Sequence, residues 1–292
     1  MGPDIQSEKV SIVGGSLQPR VGIGSFAYRY AIGFRGFNPG NPMSIADFLE
    51  TAAHGGWEGV QLCENLGYAD LSDADLAVAA AQAKRLQLAV EIGLNGLTDQ
   101  NLGRHLEVAD IFGSDLIRVV VGETGVEESL KILRSALHRL RSQRIRLGLE
   151  NNFDLTMDQL VGIVRQLGNE QVGIIFDTTN GLGFLEKPEK DMVKAQPYLV
   201  SMHIKDYTIR KVEAGYFMTG AVLGKGMLDV PAVLRCAADA PNLRSIILEM
   251  TVKRDETAPV DAVIHREQAV VLESRDYLVQ ELTKVFPFRR NS

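Results

Sequence analysis

From Val21 onward the chain alternates short apolar runs with longer stretches in which apolar residues return every three or four positions. The short runs are Val21–Phe26, Gly59–Cys63, Leu88–Gly93, Leu116–Gly122, Ile145–Glu150, Val172–Asp177, Leu199–Ile204 and Ser245–Met250. Their apolar, β-branched content predicts strands buried on both faces. Helix signals fall between them. Ser44 with Asp47, and Thr156 with Gln159, read as capping boxes, in which a hydroxyl and a side chain three residues on satisfy two otherwise unpaired backbone N–H groups. Ser72 with Asp75 opens an alanine-rich helix, Thr98 and Asp229 stand at further helix starts, and Pro188 suits a first turn. Gly55-Gly56, Gly113 and Gly168 fall where helices stop, and residues 127–141 and 261–282 are helical by period.

Strands alternating with helices imply a parallel sheet, and eight such units predict an α/β fold of (β/α)8 TIM-barrel type. A doubly wound open sheet would need fewer units or a second domain. With 292 residues and 45% hydrophobic content, one barrel over residues 21–285 is the expected organisation, with an N-terminal leader over 1–20 and a tail over 286–292. No run is long enough for a signal peptide or a membrane helix. The net charge of −6 argues against nucleic acid or an anionic membrane as partner and for a small molecule. Cys63 and Cys236 alone provide neither a disulfide framework nor a thiolate zinc site, which fits a reducing cytoplasm. The oligomeric state stays open, a homo-oligomer included.

In such barrels the chemistry sits where strands end and lead into the next helix. Glu150 ends GLE, Asp177 ends IIFD, His203 lies in MHIKD and Glu249 in ILEM, so four metal-ligand side chains fall at consecutive strand ends. Three carboxylates and one imidazole suit Mn²⁺, Mg²⁺ or Co²⁺ better than zinc. Glu150 and Glu249, on opposite sides of such an ion, would also be paired bases, and a metal chelating a hydroxyl and a neighbouring carbonyl would stabilise an enediolate. Asp177 also reads as a helix cap, and His203 as a core histidine, were they taken singly. Glu91 and Arg118 are charges inside predicted strands, expected either to contact substrate or to form an ion pair with each other. Tyr28, Arg29 and Tyr30 follow the first strand, as pocket or packing residues. Gly224-Lys225-Gly226 reads as a loop near the site, with phosphate binding as its alternative.

The segments GLENN, GIIFDTTN, SMHIKD, LGKGMLD and IILEM resemble the motifs of the xylose-isomerase-like TIM-barrel superfamily. That superfamily contains ketose 3-epimerases, hydroxypyruvate isomerases, inosose dehydratases and endonuclease IV. The resemblance implies metal ligation by Glu150, Asp177, His203 and Glu249, with Glu150 and Glu249 as acid/base groups. Three positions depart from the epimerase pattern. Asn180 stands where a substrate histidine is usual, Thr156 where an acidic contact is usual, and Arg210 lies one residue out of register with a substrate arginine. Endonuclease IV needs several strand-end histidines, whereas His54, His105, His138 and His265 all fall in predicted helices. The opening GIGSFAYRYAIG and the loop FRGFNPGNP are similar to sugar-acid enzymes of the 3-oxo-isoapionate decarboxylase branch.

These readings predict a divalent-metal-dependent isomerase or epimerase acting on a small ketose or sugar acid, with Asn180, Asp206, Arg210, Glu91 and Arg118 as substrate-binding residues. The alternative within enzymes is a 3-oxo sugar-acid decarboxylase. Outside enzymes, it is a non-catalytic carbohydrate- or metal-binding barrel.

Overall fold

The computed structural model describes residues 18–34, 36–168 and 170–286. The apolar runs become β1 (Arg20–Gly24), β2 (Gly59–Leu62), β3 (Ala89–Asn95), β4 (Leu116–Val120), β5 (Arg146–Glu150), β6 (Val172–Asp177) and β7 (Leu199–Ile204). An additional pair, β8 (Asp206–Val212) and β9 (Gly215–Ala221), precedes the last barrel strand, β10 (Ser245–Leu248). The barrel closes in the order β1-β10-β7-β6-β5-β4-β3-β2, every pairing parallel.

The connecting helices are α1 (Arg29–Ile32), α2 (Ile45–His54), α3 (Asp73–Arg85), α4 (Asp99–Phe112), α5 (Gly125–Gln143), α6 (Met157–Leu167), α7 (Pro188–Ala195), α8 (Val230–Ala238) and α9 (Val260–Val285). Their starts follow the sequence signals. Ser44 and Thr156 form reciprocal capping boxes, while Ser72, Thr98 and Asp229 each accept a backbone N–H two or three residues into their helices. Gly113 and Gly168 end α4 and α6 in the left-handed conformation. Each helix turns an apolar stripe onto the barrel's outer face. Phe48 and Leu49 of α2, Leu160 and Ile163 of α6, and Val271 and Leu278 of α9 are fully buried there. The leader lies outside the described residues except for residues 18–20, and the tail lies outside them beyond residue 286.

The β8–β9 hairpin is the element that the eightfold pattern misses. It is antiparallel, pairing Asp206 with Ala221 through to Val212 with Gly215, and it stands apart from the barrel sheet. Ile209, Tyr216, Phe217 and Met218 on it are exposed. The hairpin leaves β7 just beyond its carboxyl end, so the following loop folds back over the rim. Among the described residues, no helix is long and apolar enough to cross a membrane.

Candidate active site

Strand register places the four ligand-type side chains side by side. Glu150 and Asp177 are the last residues of β5 and β6, His203 pairs with Asp177 across β6 and β7, and Glu249 follows β10 directly, its N–H donating to the Ile204 carbonyl at 3.3 Å. All four are at most 2% exposed. One ligand atom from each lies within 4.8 Å of the others. His203 Nδ1 is 3.4 Å from Glu150 Oε1, 3.8 Å from Asp177 Oδ2 and 3.6 Å from Glu249 Oε2.

Each side chain is fixed by a different set of contacts. Glu150 is clamped on both oxygens: Arg118 Nε donates to Oε2, and Asn180 Nδ2 donates to Oε1 at 3.1 Å. Asp177 Oδ1 accepts from the Thr179 and Asn180 backbone N–H groups at 2.8 and 3.0 Å, which leaves Oδ2 turned to the cluster. Asn151 brackets the same residue, accepting from its N–H and donating to its carbonyl. Lys205 Nζ lies 2.6 Å from Asp177 Oδ2 and 2.6 Å from Glu249 Oε2. Both ring nitrogens of His203 and Oε1 of Glu249 are buried without a hydrogen bond. Gly24 lets Glu249 sit there, because a Cβ at Gly24 would come within 3.2 Å of its Cγ.

Burial opposes every charge in this cluster, so the neighbours decide each protonation state. At Glu150 burial is overcome by Arg118 and then by His203, and the carboxyl is held well below the usual range. At Glu249 burial is likewise overcome, by Lys205 and then His203, and its pKa falls. Asp177 is pushed up by burial, which Lys205 only partly offsets, and further by Glu150 and Glu249. His203 rises because the surrounding carboxylates outweigh its burial. The site therefore gathers three acids against two bound cations, Arg118 and Lys205. His203 Nδ1, unbonded and facing one oxygen each of Glu150, Asp177 and Glu249, fits with them a divalent cation, which would take one atom from each residue as ligand and balance the charge.

The other residues named from the sequence separate into three groups. Arg118 and Asn180 are in the cluster, bonded to Glu150 as above, and Arg118 also reaches Glu64 at 3.4 Å. Glu91 is inside the barrel but bonds Gln61 and Ser245; the expected ion pair with Arg118 does not form. Asp206 and Arg210 stay out of it. Asp206 is 1% exposed and accepts four backbone N–H groups, from Tyr207, Gly224, Gly226 and Leu228, so it anchors a loop and has no free oxygen edge for a substrate. Arg210 is exposed on the hairpin, 5.0 Å from the Phe217 ring. The same bonds correct the phosphate alternative for Gly224-Lys225-Gly226. Its amides face the Asp206 carboxylate, a Cβ at Gly226 would collide with that carboxylate, and Lys225 pairs with Glu273.

Two members of the site carry no assignment from sequence. Lys205 lies two residues past His203, a spacing that puts both on one face of a strand, and this parity was its available signal. Asn151 follows Glu150 directly, and only the register of β5 against β6 reveals what it does.

A (β/α)8 barrel with a buried acid and histidine cluster at its carboxyl rim defines the class. The chain belongs to the family described as xylose isomerase-like TIM barrel, whose profile matches residues 48–278. It is 29% identical over 212 residues to the 3-oxo-isoapionate decarboxylase of Pectobacterium atrosepticum, covering 70% of this chain and 76% of that protein. The fold is shared with a xylose isomerase-like TIM barrel protein from Mycobacterium smegmatis in complex with magnesium, at a TM-score of 0.68 and 16% identity over 94% of this chain and 99% of that one. It is shared also with D-psicose 3-epimerase from Clostridium cellulolyticum H10, at a TM-score of 0.68 and 15% identity over 90% and 99%.

Proposed function

We propose that this chain is a divalent-metal-dependent decarboxylase of a small 3-oxo sugar acid. The observation that carries the reading is the unequal state of the two glutamates. Shuttling a proton between two faces of a substrate carbon asks two carboxylates to gain and lose protons in turn. Glu150 is ill suited to that, with both oxygens engaged by Arg118 and Asn180.

Loss of carbon dioxide asks for one proton carrier. The bond between the carboxylate carbon and its neighbour breaks, the electron pair moves onto the 3-oxo oxygen as an enolate, and a proton then adds to the carbon. Glu150, Asp177, His203 and Glu249 would hold a divalent ion, which when bound would supply positive charge to favour electron density on that oxygen. Glu249, with one oxygen unbonded, is the residue placed to exchange the proton. Arg118 and Asn180 keep Glu150 fixed as a ligand, and Lys205 restrains Asp177 and Glu249. The similarity to 3-oxo-isoapionate decarboxylase supports this assignment.

A second reading, isomerisation or 3-epimerisation of a ketose, is favoured by the presence of both glutamates in one cluster and by the fold of the psicose epimerase. It assigns the proton transfers to Glu150 and Glu249 together. The test is carbon dioxide release from a 3-oxo sugar acid by Mn²⁺-treated protein, with and without a chelator. Chelator-sensitive release is expected. Absence of release, with interconversion of ketoses instead, establishes the second reading.

A further inference from the structure

Arg29 lies near the rim and makes no bond to the metal cluster among the described residues. Arg29 opens α1, five residues past Gly24, whose backbone lies against Glu249. Its guanidinium carbon stands 4.7 Å from the centroid of the Phe34 ring. Its Nε is shielded from solvent without an acceptor, and its guanidinium makes no ion pair or hydrogen bond among the described residues. Glu249 and Glu267 act on its charge, but neither reaches it as a partner.

Three other cations near this rim, Arg118, Lys205 and Arg254, each have a partner among the described residues. Arg118 pairs with Glu150 and Glu64, and Lys205 with Asp177 and Glu249. Arg254, which packs on Phe37 as Arg29 packs on Phe34, donates to the Gly36 carbonyl at 3.3 Å. Shielding a guanidinium donor without an acceptor is unfavourable, so the arrangement points to a partner that arrives from outside.

The side chain is also held ready. Glu267 on α9 accepts from the Tyr30 and Ala31 N–H groups at 2.8 and 2.9 Å and so pins the turn that carries Arg29. Phe34 is fixed by backbone bonds exchanged with Phe37, whose ring meets that of Tyr30 at 5.3 Å. An arginine whose charge no carboxylate takes up offers a small sugar acid a favourable contact beside the cluster.

Building on the decarboxylase reading above, we propose that Arg29 is the carboxylate-binding residue of this site, its guanidinium fork taking the carboxylate of a small sugar acid at the metal cluster. The planar fork suits a carboxylate in two-pronged contact. Anchoring that group at one end while the 3-oxo oxygen lies toward the cluster sets the bond to be broken across the plane of the carbonyl. The site is thereby specific for acids over neutral ketoses of the same length.

The test is calorimetric titration of Mn²⁺-loaded wild-type, Arg29→Met and Arg29→Lys proteins with two stable probes, D-erythronate and its uncharged counterpart erythritol. Wild type is expected to prefer erythronate, and Arg29→Met to lose about 30-fold in erythronate affinity with erythritol unchanged. Arg29→Lys should recover part of the preference, which a merely structural role would not produce. Thermal unfolding of each variant separates lost binding from lost folding. Equal erythronate binding by wild type and a folded Arg29→Met, or no preference for erythronate in the wild type, overturns the assignment. Carbon dioxide release from a 3-oxo sugar acid distinguishes the two readings. Release insensitive to Arg29→Met would keep the decarboxylase and discard Arg29, whereas Arg29-dependent erythronate binding without any release would do the reverse.

Discussion

Glu150 and Glu249 face each other across the same cluster, both buried and both at strand ends, yet their surroundings make them different reagents. On the β5 side, Arg118 and Asn180 take both oxygens of Glu150 and hold it as a fixed anion. On the β10 side, Lys205 restrains one oxygen of Glu249 and the other is unbonded beside Gly24. On the proposed reading, the same residue type at equivalent places in the barrel would serve once as a ligand only and once as a ligand that also handles a proton. The contacts of the next strand decide which.

The largest effect should come from breaking the freer side. Glu249→Gln is expected to lower kcat by about 10³-fold or more, since it removes a proton carrier as well as a charged ligand. Steady-state carbon dioxide release measures it, and a loss below tenfold would make Glu249 a ligand only. Arg118→Met attacks the clamped side. Leaving Glu150 charged and unpaired inside the barrel should destabilise the fold by about 3–5 kcal/mol in urea denaturation. Stability unchanged would show that the clamp is dispensable.

A third buried carboxylate extends the comparison. Glu267 has two backbone N–H donors but no ion-pair partner among the described residues; burial raises its pKa from 4.5 to about 7, against the lowering by Tyr30, Ala31 and Arg29. Because the folded state then holds its proton more tightly than the unfolded chain, the stability it contributes is complete below about pH 4.5 and is lost as pH rises through about 7. Relative to Glu267→Gln, the wild type should lose up to about 3 kcal/mol across that interval, read from denaturation curves at pH 4.5 and 8. A difference independent of pH would refute the raised pKa. The smallest effect is expected from Asn180→Ala, which frees one oxygen of Glu150. Mn²⁺ affinity by calorimetry should fall about tenfold, within the range for groups that orient a ligand, with stability nearly unchanged.

The barrel and the gathering of Glu150, Asp177, His203 and Glu249 were legible because both are written in strand ends. Apolar runs closing on Glu150, Asp177, His203 and Glu249 specify a rim whatever the helices do. What escaped was written in contacts across strands. Lys205 is one lysine among many until β7 turns it toward Asp177, and Glu91 looks like a partner for Arg118 until the register sets it beside Gln61. Asp206 was expected to contact substrate from its place beyond His203, but backbone N–H groups occupy both its oxygens. The glycines that donate to it lie a whole hairpin later. That hairpin was overlooked because strands β8 and β9 expose apolar side chains where a half-buried strand would alternate.

The central claim is that this rim releases carbon dioxide instead of moving a proton between carbons. It is tested most directly by carbon NMR of a carboxylate-labelled 3-oxo sugar acid turned over in deuterated water. The account predicts labelled carbon dioxide, one deuterium on the carbon that lost it, and no deuterium entering ketoses incubated alongside. Deuterium washing into a ketose, with the label retained in the acid, would contradict it.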